Sequence, residues 1–244
     1  VKKILISQQQ PKTASPYTSI AEKFGAEFDF RQFFKMEPLT SREFRAQRIN
    51  ILDHTAIVFS ARTTIDAFFQ LCEELRVKVP ETMKYFCNSE ATAVYLQKHI
   101  VFRKRKIFYG NGTTASIIDT IGSKHKEEKF LIAATAENLK GDLHKLFSKT
   151  KYKFESAAFV KTIYSDLKEV EMDKYQIAVF YSPADVKSLF ENYPEFKQNE
   201  LKIATFGPAA AKAATAAGLT VDITAPTPEA PSISKALMLY MQKE

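Results

Sequence analysis

The two halves of this 244-residue chain echo one another, apolar stretch for apolar stretch. Ala56-Ile-Val-Phe-Ser60, followed by a helical pattern reaching Phe68-Phe69, returns about 122 residues later as Ile177-Ala-Val-Phe-Tyr-Ser182, followed by Leu189-Phe190. Met83-Lys-Tyr-Phe-Cys-Asn-Ser-Glu-Ala91 lines up with Leu201-Lys-Ile-Ala-Thr-Phe-Gly-Pro-Ala-Ala-Ala211, and Ile107-Phe-Tyr-Gly-Asn-Gly-Thr113 with Leu219-Thr-Val-Asp-Ile-Thr224. A fourth strand and helix of the first half, Lys129–Thr150, has no counterpart downstream. Its match is at the start of the chain, where Lys2-Lys-Ile-Leu-Ile-Ser7 resembles Glu128-Lys-Phe-Leu-Ile-Ala133. A repeat of this kind means two copies of one supersecondary arrangement. Here the chain starts one copy, builds the other whole, and returns to finish the first.

Short β-rich runs alternate with amphipathic stretches throughout, the pattern of parallel sheets with helices on both faces. Strands are expected at Lys3–Ser7, Glu27–Phe34, Ala56–Ser60, Lys84–Cys87, Lys106–Tyr109, Lys129–Ala133, Lys153–Lys161, Ile177–Tyr181, Lys202–Phe206 and Thr220–Ile223. Helices are expected at Thr64–Leu75, Glu90–His99, Ala115–Gly122, Leu139–Thr150, Pro183–Asn192, Pro208–Ala217 and Pro231–Gln242, the last three opening on a proline that a first turn tolerates. The fold class is therefore α/β: two similar doubly wound parallel-sheet domains joined by a two-stranded linker, one of them discontinuous. Residues 1–32 with 165–244 form the discontinuous domain and 37–158 the inserted one. Segments 33–36 and 159–164 are the linker strands, and a cleft is expected between the domains.

Composition narrows the partners. The net charge of +7 suits an anion: nucleic acid, an acidic surface or a polycarboxylate. The densest basic run, Arg103–Lys106, is also explained as a solvated strand entrance. The sequence lacks the aromatic–basic ladder of an RNA-binding sheet and zinc-finger spacing. Cys72 and Cys87 sit in apolar surroundings without CxxC spacing, as small buried hydrophobes in a reducing compartment do. No apolar run reaches the roughly 18 residues of a membrane span, and the opening VKKILISQQQP reads as a strand rather than a signal peptide. A cytoplasmic protein is expected.

Ligands of open parallel sheets gather at the carboxyl ends of the strands. Those ends carry Ser60, Ala61, Arg62 and Thr63; Asn88 and Ser89; Gly110-Asn-Gly112-Thr113; Ser182, Pro183 and Ala184; and Gly207, Pro208, Ala209 and Ala210. Many open helices, whose free N–H groups bind carboxylates or phosphates, although helix capping alone also accounts for Ser and Thr there. The dinucleotide and P-loop fingerprints are missing, as are GxSxG, HExxH and a useful Cys–His pairing. His54, His99, His125 and His144 fall in exposed-looking helix or loop positions. Neither a nucleophilic nor a metal enzyme is indicated.

Several of these stretches resemble the uroporphyrinogen-III synthase family. Its C-terminal pattern, a hydrophobic strand ending in (F/T)-S-P, then I-A-x-(I/F)-G-P-T-T-A-x-A, then G, then A-x-x-P-(T/S), is similar to Ile177-Ala-Val-Phe-Tyr-Ser-Pro183, Ile203-Ala-Thr-Phe-Gly-Pro-Ala-Ala-Ala-Lys-Ala213, Gly218 and Ala225-Pro-Thr-Pro228. Phe59-Ser-Ala-Arg-Thr63 resembles the family's F-T-S strand end. The resemblance implies cyclisation of hydroxymethylbilane to uroporphyrinogen III without a cofactor, with loss of water and inversion of ring D. It implies a linear tetrapyrrole polycarboxylate as substrate and a transient contact with hydroxymethylbilane synthase, the preceding enzyme. Nucleic acid and membrane are not among the implied partners, and a monomer is the default.

The family carries a tyrosine in a Y-(R/K/Q)-T triplet of the second crossover. Here the triplet is Val160-Lys161-Thr162, which leaves Lys161 and Tyr164 as catalytic candidates. The paired threonines after Gly-Pro are Ala209 and Ala210, and Ser7-Gln-Gln-Gln10 stands where a basic residue is usual. Substrate-binding candidates are Ser60, Ala61, Arg62, Ser89, Gly112, Thr113, Thr162, Ser182, Pro183, Gly207, Ala209 and Ala210. The departures frame a rival reading, a degenerate member that holds a tetrapyrrole without cyclising it. A sensor of another small anion is a third.

Overall fold

A computed structural model describes residues 1–243. In chain order its elements are β1 (Lys2–Ile6), α1 (Pro16–Phe24), β2 (Ala26–Phe30), β3 (Phe34–Pro38), α2 (Ser41–Ala46), β4 (Ala56–Phe59), α3 (Arg62–Glu74), β5 (Lys84–Cys87), α4 (Glu90–Tyr95), β6 (Ile107–Tyr109), α5 (Thr114–Ile121), β7 (Lys129–Thr135), α6 (Asp142–Ser148), β8 (Lys153–Tyr164), β9 (Ile177–Phe180), α7 (Pro183–Asn192), β10 (Lys202–Phe206), α8 (Pro208–Ala216), β11 (Val221–Ala225) and α9 (Ile233–Met241). The chain divides into two compact units, Val1–Lys35 with Ile163–Glu244, and Met36–Thr162.

The first unit holds a sheet ordered β11-β10-β9-β1-β2, the second a sheet ordered β3-β8-β7-β4-β5-β6. Reversing the second and setting aside β3 gives β6-β5-β4-β7-β8, the same order for the repeated strands. Register makes the equivalence exact to the residue. Ile4 lies opposite Ile177 and Phe28, while Phe130 lies opposite Ala56 and Phe154, all in parallel pairs. The N-terminal strand thus occupies the place that β7 holds in the second unit.

Strand alternation builds two cores per sheet, because successive side chains point to opposite faces. In the second unit Ile57, Phe59, Tyr85, Cys87 and Leu131 pack with Phe44, Ile65, Phe68 and Leu71. Ala56, Val58, Phe86, Phe130 and Ile132 pack on the other face with Ile117, Ile121 and Phe147. The first unit repeats this: Ile4, Ile6, Ile177 and Val179 with Ile20, Ile233 and Leu237, against Leu5, Ala178, Phe180 and Ile203 with Val186, Leu189 and Ala214. Each fully buried side chain of this size contributes about 1.5–3 kcal/mol.

Four local expectations are corrected. The stretch Glu27–Phe34 is not one strand. β2 ends at Phe30, Phe33 is buried, and Ser188 Oγ and Ser165 N both donate to the Phe33 carbonyl, so the chain leaves one sheet before β3 joins the other. Pro231 precedes α9 rather than opening it, because Ser232 is the cap and accepts from Lys235 N. The helix expected over Leu139–Thr150 begins only at Asp142, after a short 3-10 turn at Ala136–Asn138. His54 and His125 are buried rather than exposed: His54 bonds Glu155 at 2.8 Å, and His125 packs against Phe108 and Phe86. The short helix α2 was not expected, although Thr40 and Glu43 form a capping box whose T-x-x-E spacing is legible.

Candidate functional site

The order of each sheet places its reversal of winding between the central strand and the returning one, β4 beside β7 and β9 beside β1. Ligands of such sheets bind outside the carboxyl ends at that point. The two edges differ in what they offer there.

In the second unit, β4 delivers Ser60 and Arg62 to the surface, with Ala61 at the α3 cap position, where no side chain caps the helix. Beside it, Ser89 caps α4 by accepting from Thr92 N, and Gly112 N donates to Asn88 O at 2.7 Å. The Gly110–Thr113 loop is a built turn. Asn111 Oδ1 accepts from both the Thr113 amide and hydroxyl, and Thr113 Oγ1 accepts from Ser116 N to cap α5. A Cβ at Gly110 would come within 2.0 Å of Ser116 Oγ, and Gly112 has φ +101°, so both glycines are required by geometry. Ser60, Ala61, Arg62, Ser89, Gly112 and Thr113 therefore follow three neighbouring strands.

Lys161 and Thr162 lie near the end of β8. Lys161 Nζ donates to both Glu43 oxygens, at 3.1 and 3.0 Å. That ammonium first, and then Thr40, holds the Glu43 carboxyl below the usual range. Thr162 donates its amide and hydroxyl to Glu137. Val160, standing where the triplet tyrosine was sought, is fully buried.

In the first unit, Tyr164 ends β8. Its ring carries the Lys187 ammonium at 5.8 Å, and no hydrogen bond of its hydroxyl is seen among the described residues. Ser182 caps α7, with Pro183 in the first turn and Asp185 completing a capping box. Asp185 is 1% exposed, and its Oδ2 accepts from Ser7 Oγ, Tyr181 N and Ser182 N. Burial outweighs those donors and pushes its pKa up. Gly207, at φ +87°, leads into α8, and the amides of Ala209 and Ala210 find no acceptor among the described residues. Phe206 is 36% exposed and packs on Tyr181, whose hydroxyl meets that of Tyr17 at 3.0 Å.

Asp185, the Tyr17–Tyr181 pair and a second cluster at Asp66, Tyr95 and His99 were missed from sequence. Each is completed by a residue far along the chain, Ser7 for Asp185, Tyr17 for Tyr181 and Asp66 for Tyr95 and His99, although the Ser182–Asp185 capping-box spacing is local. A concavity of about 580 Å³, lined by Val170, Met172, Tyr175, Tyr193, Phe196 and Leu201, opens at the amino ends of the first unit's strands. Size and chemistry disagree there. Helix-start amides, the exposed Ser60 hydroxyl and a guanidinium without a carboxylate partner among the described residues lie at the carboxyl ends, which is the better guide to a polyanion.

Comparison with known proteins points the same way. No curated protein matches the chain by sequence. Among solved structures, the uroporphyrinogen III synthase of Thermus thermophilus superposes over all of both chains at a TM-score of 0.63 and 15% identity. The uroporphyrinogen-III synthetase of Helicobacter pylori does so at 0.61 and 16%, again over all of both chains. These likenesses concern the fold. The family model described as uroporphyrinogen-III synthase HemD matches residues 15–235, nearly the whole length. On that match the chain belongs to the uroporphyrinogen-III synthase family.

Proposed function

We propose that the chain cyclises hydroxymethylbilane to uroporphyrinogen III. The observation that carries the reading is the family match over residues 15–235. The substrate loses its terminal hydroxyl as water to give an azafulvene. That electrophile closes onto the substituted carbon of ring D to form a spiro intermediate, and reopening with reclosure inverts the ring. Holding an eight-carboxylate chain in one folded geometry is the larger share of such catalysis.

The carboxyl-end edges suit this work. The amide of exposed Ala209 at the start of α8, with buried Ala210 behind it, the exposed Ser60 hydroxyl and the Arg62 guanidinium are donors for substrate carboxylates. Gly112, Thr113, Ser89, Thr162, Ser182, Pro183, Ala61 and Gly207 complete the proposed binding set mainly by shaping the backbone, since the Ser89, Thr113 and Ser182 hydroxyls already cap helices. Of the two catalytic candidates, Tyr164 is favoured as proton donor to the departing hydroxyl because its phenol is uncommitted, whereas Lys161 is held by Glu43.

The reading extends to a cytoplasmic monomer that takes its substrate in transient contact with hydroxymethylbilane synthase. Two free, buried cysteines support a reducing compartment. No helix among the described residues is long and apolar enough to cross a membrane.

The test is an assay feeding hydroxymethylbilane to the purified protein, with oxidised products separated by isomer. Predominant type III establishes the synthase. Type I alone, at the uncatalysed rate, overturns it, and titration with a tetrapyrrole then decides whether the chain is a binder.

A further inference from the structure

Arg62 and Asp66 stand four residues apart on α3, the spacing at which opposite charges pair along a helix. They do not pair. Asp66 Oδ2 accepts from the Tyr95 hydroxyl at 2.6 Å, and its Oδ1 from His99 Nε2 at 2.7 Å. The His99 ring is itself fixed, stacked on Phe69 at 4.6 Å and 10°. Burial works against the Asp66 charge, but the bonds from Tyr95 and His99 prevail and hold its pKa below the usual range. Both carboxylate oxygens are thereby engaged.

Arg62 is left exposed, without a carboxylate partner among the described residues, and its guanidinium rests over the Tyr95 ring at 5.3 Å. Lys98 reaches the same phenol from its other neighbours, with Nζ 4.6 Å from the ring centre and 3.3 Å from the hydroxyl. An aromatic face attracts a guanidinium and orients its plane while leaving every N–H free. A salt bridge to Asp66 would use those donors instead. The cluster therefore presents a cation whose direction is set and whose hydrogen-bonding fork is unspent, immediately after Ser60 and Ala61 at the end of β4.

We propose that Tyr95 is a positioning residue that holds Arg62 as the receptor for one carboxylate of the substrate, with Asp66 and His99 locking the Tyr95 ring in place. The proposal rests on the synthase reading for the identity of the substrate. It assigns to Tyr95 no contact with the substrate. The ring acts through Arg62, and the hydroxyl only anchors the ring.

Steady-state kinetics with hydroxymethylbilane test it. Tyr95→Leu, which removes the ring, is expected to raise KM about fivefold with kcat within twofold, the size of one exposed cation–aromatic contact. Tyr95→Phe keeps the ring but frees it from Asp66, and is expected to raise KM about twofold, between the native protein and Tyr95→Leu. Arg62→Lys keeps the charge at an exposed position where folding is not at risk, but loses the flat stacking group. It is expected to raise KM about fivefold alone and to add nothing in the Tyr95→Leu background. An unchanged KM in Arg62→Lys or in folded Tyr95→Leu overturns the proposal, as do additive effects in the double variant. If the native protein yields only the type I ring, the synthase reading fails separately. Titration with uroporphyrin I octacarboxylate then decides: weaker binding by Arg62→Lys and Tyr95→Leu alike supports the positioning role, and equal binding ends it.

Discussion

The Ser7 hydroxyl donates to Asp185 Oδ2 at 2.8 Å, joining the end of β1 to the first turn of α7 where the winding of the first sheet reverses. The residues are 178 apart in sequence. Tyr181 N and Ser182 N donate to the same oxygen, while Asp185 Oδ1 is buried with no partner among the described residues. The equivalent positions of the second unit are Ala133 and Thr64, so the buried carboxyl is a feature of one copy only.

A pH dependence follows. Burial raises the folded-state pKa of Asp185 above its unfolded value. The folded protein therefore binds the extra proton, and the stability this group contributes is full below the unfolded pKa of about 3.9 and lost as pH rises through the folded one. Asp185→Asn removes the titration. Urea unfolding from pH 4 to pH 8 is expected to show the difference between the two proteins moving in favour of the variant as pH rises. Asp185→Ala, which strands three donors, is expected to cost roughly 3 kcal/mol at pH 4 and less as pH rises, because it removes the same titration.

Tyr164 and Lys161 separate by their present engagements. Tyr164→Phe is expected to lower kcat about 100-fold with KM little changed, the usual contribution of a general acid. Lys161→Ala is expected to lower it less, because its ammonium already serves Glu43. Equal, small effects in single-turnover measurements would remove both from the chemistry.

Gly110 is fixed by Ser116. An added Cβ would meet Ser116 Oγ at 2.0 Å and its Cβ at 2.7 Å. Gly110→Ala is expected to destabilise by about 1–3 kcal/mol, as overpacking does. In Gly110→Ala with Ser116→Gly the clashing atoms are gone, so chemical denaturation of the pair should fall short of the summed single effects.

Cys72 and Cys87 are expected to resist a thiol reagent at pH 8 in the native state. Burial pushes both thiols up to about 12, so little thiolate forms. Both should react promptly once the chain is unfolded in denaturant. Reaction of either in the folded protein would contradict the packing of the core around α3 and β5 described above.

Much of the fold is legible in the sequence because it rests on local periodicity. The runs Lys84–Cys87 and Lys202–Phe206 are bounded as strands by their own residues, and the likeness of Lys2–Ser7 to Glu128–Ala133 joins the two strands that hold equivalent places in the two sheets. A strand needs its side-chain alternation to match two faces at once, so its identity survives in one dimension. The break between β2 and β3 is less legible, since aromatic residues recur at Phe28, Phe30, Phe33 and Phe34 with no proline or glycine between them, and the donors that hold the Phe33 carbonyl come from Ser165 and Ser188, far along the chain.

The candidate site divides in the same way. Residues that follow strands, from Ser60 to Ala210, can be named from sequence because parallel sheets always present those ends. What each side chain does there is a tertiary matter. Ser182 caps a helix, Lys161 neutralises Glu43 across 118 positions, and Asp66 is drawn from Arg62 toward Tyr95 and His99, 29 and 33 positions away. Local pattern determines which backbone is offered. Hydrogen bonds and charges choose among partners by distance in space, and only the folded chain sets those distances.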